Sequence, residues 1–224
     1  MDALDNPIWH ALTNEHQELS VGGPDGKRYR EDVAPFAAVR VPSNEAFAEL
    51  ATTLAPGQAV ALFTSIVPTL PRGWTLLRQR PIEQMVCTTL SEERAFFPVR
   101  LGAGDISEMM ELVTLTEPGP FASNTISMGS YFGIRSSTGS LVAMAGRRLA
   151  LPHHVEISAV CTHPDFRGHG YAQSLVAFLS ERIMREGRIP FLHVKGENRA
   201  ARVYERVGFS KRKAMTLTVI QIEA

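Results

Sequence analysis

Cysteine is scarce: Cys87 and Cys161 are the two in 224 residues, and neither has a second cysteine or a histidine at metal-ligand spacing. That excludes a disulfide framework and a cysteine-ligated zinc site, and both thiols read as small, buried apolar side chains. No metal is indicated. Net charge is absent as well, because 23 Lys and Arg offset 23 Asp and Glu. Without a basic field, nothing in the composition points to nucleic acid. No run approaches the roughly eighteen apolar residues of a membrane span. The opening Met-Asp-Ala-Leu-Asp-Asn-Pro lacks the basic and apolar stretches of a signal peptide. The expected compartment is the cytoplasm, with no membrane partner.

What the chain does contain is a turn suited to an anion. Residues 155–162 read Val-Glu-Ile-Ser-Ala-Val-Cys-Thr, the alternation of a half-buried strand. Beyond the turn, Ala172, Leu175, Val176, Leu179 and Ile183 recur at helical spacing, and Gly187 stands where a helix stops. Between them lies His163-Pro-Asp-Phe-Arg-Gly-His-Gly-Tyr-Ala172. Strand, glycine turn and helix in that order aim the first free N–H groups of the helix, and its positive dipole end, beyond the turn. Gly168 and Gly170 permit positive φ and carry no Cβ to hold a diphosphate off the backbone. Arg167 adds a permanent forked charge.

Three glycine-loop patterns compete here. A Walker loop needs Lys-Ser/Thr after its second glycine, and Gly170 is followed by Tyr171-Ala172. A dinucleotide fingerprint needs Gly or Ala at 173, where Gln173 stands, although Glu197 after the next strand keeps that reading open. The third pattern, Q/R-x-x-G-x-G/A, is filled by Arg167, Gly170 and Ala172. With it comes a second element: residues 190–209 hold a strand, then Asn198, Ala201 (or Ala200) and Tyr204 in the pattern Asn-x-x-Ala-x-x-x-Tyr, then Gly208-Phe209. On these two motifs the chain resembles the GNAT superfamily of acyl-CoA-dependent N-acyltransferases, in particular its FR47-like branch, over roughly residues 98–224.

That resemblance implies an α/β (α+β) fold with a mixed central sheet flanked by helices. The pattern along the chain accommodates it. From Val99 a short strand, a helix from Asp105 to Leu115, strands at 131–135, 141–148 and 154–162, a helix over 170–186, a strand over 189–194, a helix over 199–207 and strands at 209–213 and 215–222 are expected. Residues 1–95 read as a separate N-terminal α/β module, a degenerate copy of the same fold being one form it could take, and residues 96–224 as the N-acetyltransferase domain. In the module, Asn6-Pro7 starts a helix to about Leu19 and Ser43 caps another ended by Pro56-Gly57. A strand follows at 59–64, then connecting structure from Pro68 to Pro81 and a strand near 84–88.

The reaction implied by the resemblance is acetyl transfer from acetyl-CoA to a primary amine by direct attack in a ternary complex, without a metal. Val160, Cys161 and Thr162 would bond the pantetheine arm through their backbone. Arg167, Gly168, His169, Gly170, Tyr171 and Ala172 would hold the diphosphate, with Asn198 and Ala201 beside the cofactor. Tyr204 holds the position of the family's general acid. An alkylamine with pKa near 10.4 is about 99.9% protonated at pH 7, so a base is wanted. Glu156 and His193 both qualify, Glu156 as an acidic residue near the start of its strand and His193 as an imidazole suited to neutral pH. The acceptor, a small molecule or a peptide, is not legible in the sequence, and a homodimer is left open. The rival readings are a non-catalytic acyl-CoA-binding or regulatory domain and, more weakly, a dinucleotide oxidoreductase.

Overall fold

In the computed structural model, which describes residues 2–91, 96–195 and 200–223, Pro7 occupies the first position of α1 (Pro7–Leu12), where its missing N–H costs nothing. Asn6 makes no side-chain cap; its amide instead donates to the Val39 carbonyl at 2.8 Å. The helix ends at Leu12 rather than near Leu19, and His16 turns inward to the Tyr29 hydroxyl at 2.7 Å. The short strands β1 (Ser20–Gly22), β2 (Gly26–Tyr29) and β3 (Ala37–Val39) pair antiparallel in that order. Ser43 then caps α2 (Asn44–Ala51) as expected, accepting from the Ala46 N–H at 3.1 Å.

The chain continues through β4 (Ala59–Thr64), β5 (Trp74–Cys87), β6 (Val99–Leu101), α3 (Ile106–Thr116), β7 (Tyr131–Arg135), β8 (Leu141–Ala150), β9 (His154–Thr162), α4 (Tyr171–Arg185), β10 (Ile189–Lys195), α5 (Ala200–Val207) and β11 (Phe209–Ile222). Among the described residues, eight strands form one mixed sheet in the order β4-β11-β5-β10-β9-β8-β7-β6. Within it β9 and β10 run parallel, joined by the α4 crossover that parallel neighbours require. No helix among the described residues is long and apolar enough to cross a membrane.

The boundary expected at residue 95 does not divide this sheet. β5 lies between β11 and β10, and β4 flanks β11 on its other side, so the first ninety residues supply two strands of the main sheet as well as the small one. The cause of the misreading is residues 75–81, which are exposed throughout and end in proline. Pro81 lies one residue past the last β5–β10 pair, Ile82 with Lys195, where β5 is bonded on its β11 side alone. A proline is tolerated at such an edge. β11 is likewise one strand rather than two, with a register shift between Lys211 and Lys213.

Each face of the sheet has its own core. Val155 and Ile157 on β9 and Leu192 and Val194 on β10 pack against Leu175, Val176, Leu179 and Ile183 of α4. On the opposite face, Phe63 of β4 and Phe191 of β10 meet Ile8 and Leu12 of α1 and Phe36. The alternation of β9 therefore turns Glu156 away from α4, toward the N-terminal segment.

Gly208, the glycine that ends α5, adopts φ +115°, and a Cβ there would fall on the Thr89 carbonyl oxygen. Gly208→Ala should combine left-handed backbone strain of about 1–2 kcal/mol with overpacking of about 1–3 kcal/mol. A loss of about 2–5 kcal/mol in urea unfolding is the expected outcome, and an unchanged midpoint would contradict this packing.

Candidate active site

β9 and β10 pair over three positions only, His154 with Ile189, Val155 with Pro190 and Glu156 with Phe191. Beyond Glu156 the two strands part. On the other side of β9, Cys161 pairs with Met144 and Ser158 with Gly146, so Ala159 and Val160 together oppose the single residue between. This is a β-bulge, and Ala159 at its centre has φ +52°. A left-handed alanine costs about 1–2 kcal/mol, strain of the sort that gathers where backbone is re-aimed at a ligand. From the bulge onward, Val160, Cys161 and Thr162 present an edge with no β10 partner, as expected of a strand that leaves backbone groups free.

The turn that follows also behaves as its sequence implies. Gly168 and Gly170 have φ of +83° and +78°, and open space surrounds the position of each absent Cβ. Gly170 is the N-cap of the fifteen-residue α4 and offers no side-chain cap, so the first-turn N–H groups of Tyr171, Ala172 and Gln173 have no intrahelical acceptor. Arg167 is exposed and leans back toward the Thr162 carbonyl at 3.4 Å. These features fit a diphosphate: a positive helix end, two glycines clear of other atoms and one cation.

Bulge, turn and α5 line a single cavity of about 870 Å³. Tyr204 lines it from α5 while remaining 8% exposed. Burial pushes its phenol up to about 12, with Cys161 adding to the effect, and the hydroxyl has no hydrogen-bond partner among the described residues. Burial likewise raises the Cys161 thiol to about 11. Ala200 lines the cavity and Ala201 does not; Ala201 packs instead against the α4 core. His169 is also outside the lining, its ring nitrogen facing the Phe166 and Arg167 carbonyls at 3.1 Å and its ring stacked on Tyr171. Asn198, expected beside the cofactor, lies outside the described residues. Among those described, no group of His, Cys, Asp or Glu is arranged to hold a metal ion.

The two candidate bases turn out to be one hydrogen-bonded unit. Glu156 is fully buried and accepts a bidentate pair from Arg148 at 2.7 and 2.6 Å, while His193 Nδ1 donates to the same carboxylate at 2.7 Å. Burial alone would raise the Glu156 carboxyl, but the charge and hydrogen bonds of Arg148, followed by His193, outweigh it and hold the group at about 2. The other histidine nitrogen is occupied too. Gln84 accepts from Arg212 at 2.7 Å through its oxygen and donates to the Leu4 carbonyl at 2.9 Å through its nitrogen. This assigns the amide orientation, so its remaining N–H donates to His193 Nε2 at 3.1 Å. Arg148 is further held against the rings of Phe36 and Phe63, 4.9 and 5.5 Å from their centroids. His193 lines the cavity with its Nε2 lone pair already taken by Gln84, and Glu156, fully buried behind it, does not line the cavity.

Arg148, Gln84 and Arg212 escaped the reading of the sequence, as did Arg78 and Arg80, which also line the cavity. A signal for some of them exists. Arg78, Arg80, Ile82 and Gln84 alternate along β5 and so share a face, which becomes legible once 74–87 is read as a single strand. Arg148 carries no comparable signal, since its role depends on pairing across β8 and β9.

The FR47-like protein family matches residues 131–218. A GNAT-family structure from Novosphingobium aromaticivorans shares 34% identity over 100% of both chains, with a TM-score of 0.91. A GCN5-related N-acetyltransferase from Kribbella flavida matches at 16% identity over 96% of each chain with a TM-score of 0.67, a likeness of fold. A GCN5-related N-acetyltransferase-like protein from Streptococcus suis does so at 14% identity, over 97% of this chain and 92% of that one, with a TM-score of 0.58. No curated protein matches.

Glu156→Gln keeps the shape of the side chain but leaves Arg148 buried without its counter-ion. Breaking a buried pair from one side costs about 3–5 kcal/mol, a fall in Tm of roughly 6–20 °C at about 2–4 °C per kcal/mol for a chain of this size. The carboxyl titrates at about 2 in the native protein against 4.5 ordinarily. A depressed carboxyl contributes stability above its unfolded pKa and loses it as pH falls through the native one. By pH 3, about one and a half units below the unfolded pKa, wild type should therefore have shed about 2 kcal/mol that the Gln variant does not. Urea unfolding of both proteins at pH 6 and pH 3 measures the difference, and equal acid losses would count against the buried pair.

Proposed function

We propose that this chain, which belongs to the GNAT family of N-acetyltransferases, moves an acetyl group from acetyl-CoA directly to a primary amine while both are bound. The observation that carries this reading is one cavity walled by an unpaired strand edge at a left-handed bulge, a glycine turn at a helix N-terminus and the hydroxyl of Tyr204, which has no partner among the described residues. When bound, acetyl-CoA supplies the activated acyl group as a thioester. Gly168, Gly170 and the first N–H groups of α4 would hold its diphosphate, joined by Arg167. The free backbone of Val160, Cys161 and Thr162 would bond the pantetheine arm as an added strand does.

Tyr204 acts on the departing sulfur. With its own pKa near 12 it stays a neutral donor across the working pH range. Full transfer of its proton to a thiolate near 8.5 would be uphill by roughly 5 kcal/mol. Its contribution is therefore a hydrogen bond that strengthens as charge develops on sulfur. Cys161 is poorly placed to carry the acyl group itself, because a thiol at about 11 is almost wholly protonated at neutral pH, which favours direct transfer. Glu156 and His193 serve as positioning residues: Glu156 is buried in a pair with Arg148 and does not line the cavity, and the His193 Nε2 lone pair is taken by Gln84. The amine then loses its proton through desolvation and the positive charge around it, both of which lower an ammonium pKa.

Two variants test these roles. Tyr204→Phe should lower kcat by about 10²–10³-fold, the scale of one donor lost from developing charge, while acetyl-CoA affinity and folding persist; thiol release in single turnover measures it. Wild-type kcat should also show no falling limb from this phenol below about pH 11. Gly170→Val places a branched side chain on left-handed backbone at the diphosphate and should weaken acetyl-CoA binding at least about tenfold. Calorimetry on the folded variant that finds wild-type affinity would remove the turn from the site.

A further inference from the structure

Part of the cavity is lined by charge that the reaction above does not use. Arg78 and Arg80, two residues apart on β5, line it from one face. Both are exposed, and neither makes a hydrogen bond or an ion pair among the described residues. Lys195 and Arg206 line the same cavity, and Glu117 is the one acidic side chain along its wall among the described residues. Arg148 is already neutralised by Glu156. A protonated amine entering this wall meets charge of its own sign. A second, anionic group on the same molecule reverses that balance.

We propose that the acceptor is a primary amine that also carries a carboxylate, and that Arg78 and Arg80 hold that carboxylate; this rests on the reading of the chain as an amine acetyltransferase. The guanidinium fork matches a carboxylate in two-point geometry, and two forks on alternate residues of one strand face can share one anion. Their place in the sheet separates them from the diphosphate turn, since β5 lies on one side of β10 and β9 with its turn on the other. Extended past its last pair, Glu156 with Phe191, the β9–β10 register would set the Ala159 bulge level with Val194, which pairs with Glu83. Arg80 stands three residues, about 10 Å, further along β5. That interval is spanned by an arginine side chain reaching back and a short carbon chain between amine and acid. The same cations favour the neutral amine, the form that attacks, in a site whose histidine acceptor is taken by Gln84 and whose glutamate is buried outside the cavity wall.

The experiment uses the full chain with acetyl-CoA and thiol detection on matched amines: glycine, β-alanine and 4-aminobutyrate, their amides, 2-aminoethyl phosphate and spermidine. At least one amino acid should exceed its own amide in kcat/KM by tenfold or more. That ratio should collapse toward one in the folded Arg78→Gln/Arg80→Gln double variant. Amides or spermidine acetylated as well as the acids, or a ratio unchanged in the double variant, would overturn the carboxylate and leave the transferase reading standing. Preference for the phosphate over every acid would replace the carboxylate by a phosphate. Thiol release with none of these amines, from protein that binds acetyl-CoA, would overturn the amine reading and this inference with it.

Discussion

A row of polar side chains crosses five neighbouring strands and fixes where the sheet can open. Arg148 on β8 grips Glu156 on β9, Glu156 holds His193 on β10, His193 meets Gln84 on β5, and Gln84 accepts from Arg212 on β11. Glu156 is also the last β9 residue paired with β10. The strands are thus clamped at the residue beyond which they diverge. Each member of the row is hydrogen-bonded to the next, and a buried polar network linked in this way rigidifies a core. The row also reaches the start of the chain, because Leu4 accepts from Gln84 and Asp5 accepts from Arg212 at 3.0 Å. The bulge near Lys211–Lys213 is what lets Arg212 point there.

Clamp and cleft share one division of labour. On the α4 side, ordinary apolar packing of Val155, Ile157, Leu192 and Val194 holds β9 and β10 to their helices. On the other side, charge does the aligning, and the ring pair Phe36 and Phe63 shields Arg148. Buried ion pairs contribute little net stability compared with apolar replacements, so their value here is in geometry: they orient a strand that must be paired at one end and free at the other. The strained φ of Ala159 is tolerated because flanking strand pairs on β8 hold both ends of the bulge.

Much of the C-terminal part was legible because its signals are local. The Arg167–Ala172 turn, the helix ridge through Leu175 and Leu179, and Tyr204 lie within one strand-turn-helix or strand-helix unit, where spacing alone assigns a face. The described boundaries of α4, β9 and β10 fall within a residue of those expected. The bulge at Ala159 was not legible, since no glycine marks it and its cause is the mismatch between β8 and β9. The same holds for Glu156 and His193. Each looked like a base in isolation, and Arg148 and Gln84, which hold them by hydrogen bonds, come from strands whose pairing no local pattern encodes. β5 was misread for a related reason: its exposed half borders a cavity, so polarity there records a cavity wall rather than a loop.

The position of β5 carries a consequence for biosynthesis. Its neighbours on both sides, β10 and β11, lie more than a hundred residues later in the chain. A nascent polypeptide therefore emerges with β5 made and both of its hydrogen-bonding edges open until more than a hundred further residues have been translated. Pairings of such long sequence separation are slow to form, and an unpaired strand is where incomplete chains associate. The exposed arginines of its first half, Arg78 and Arg80, are charges of the kind that oppose edge-to-edge pairing in the interval before β10 and β11 arrive, and the same side chains line the cavity once the sheet is complete.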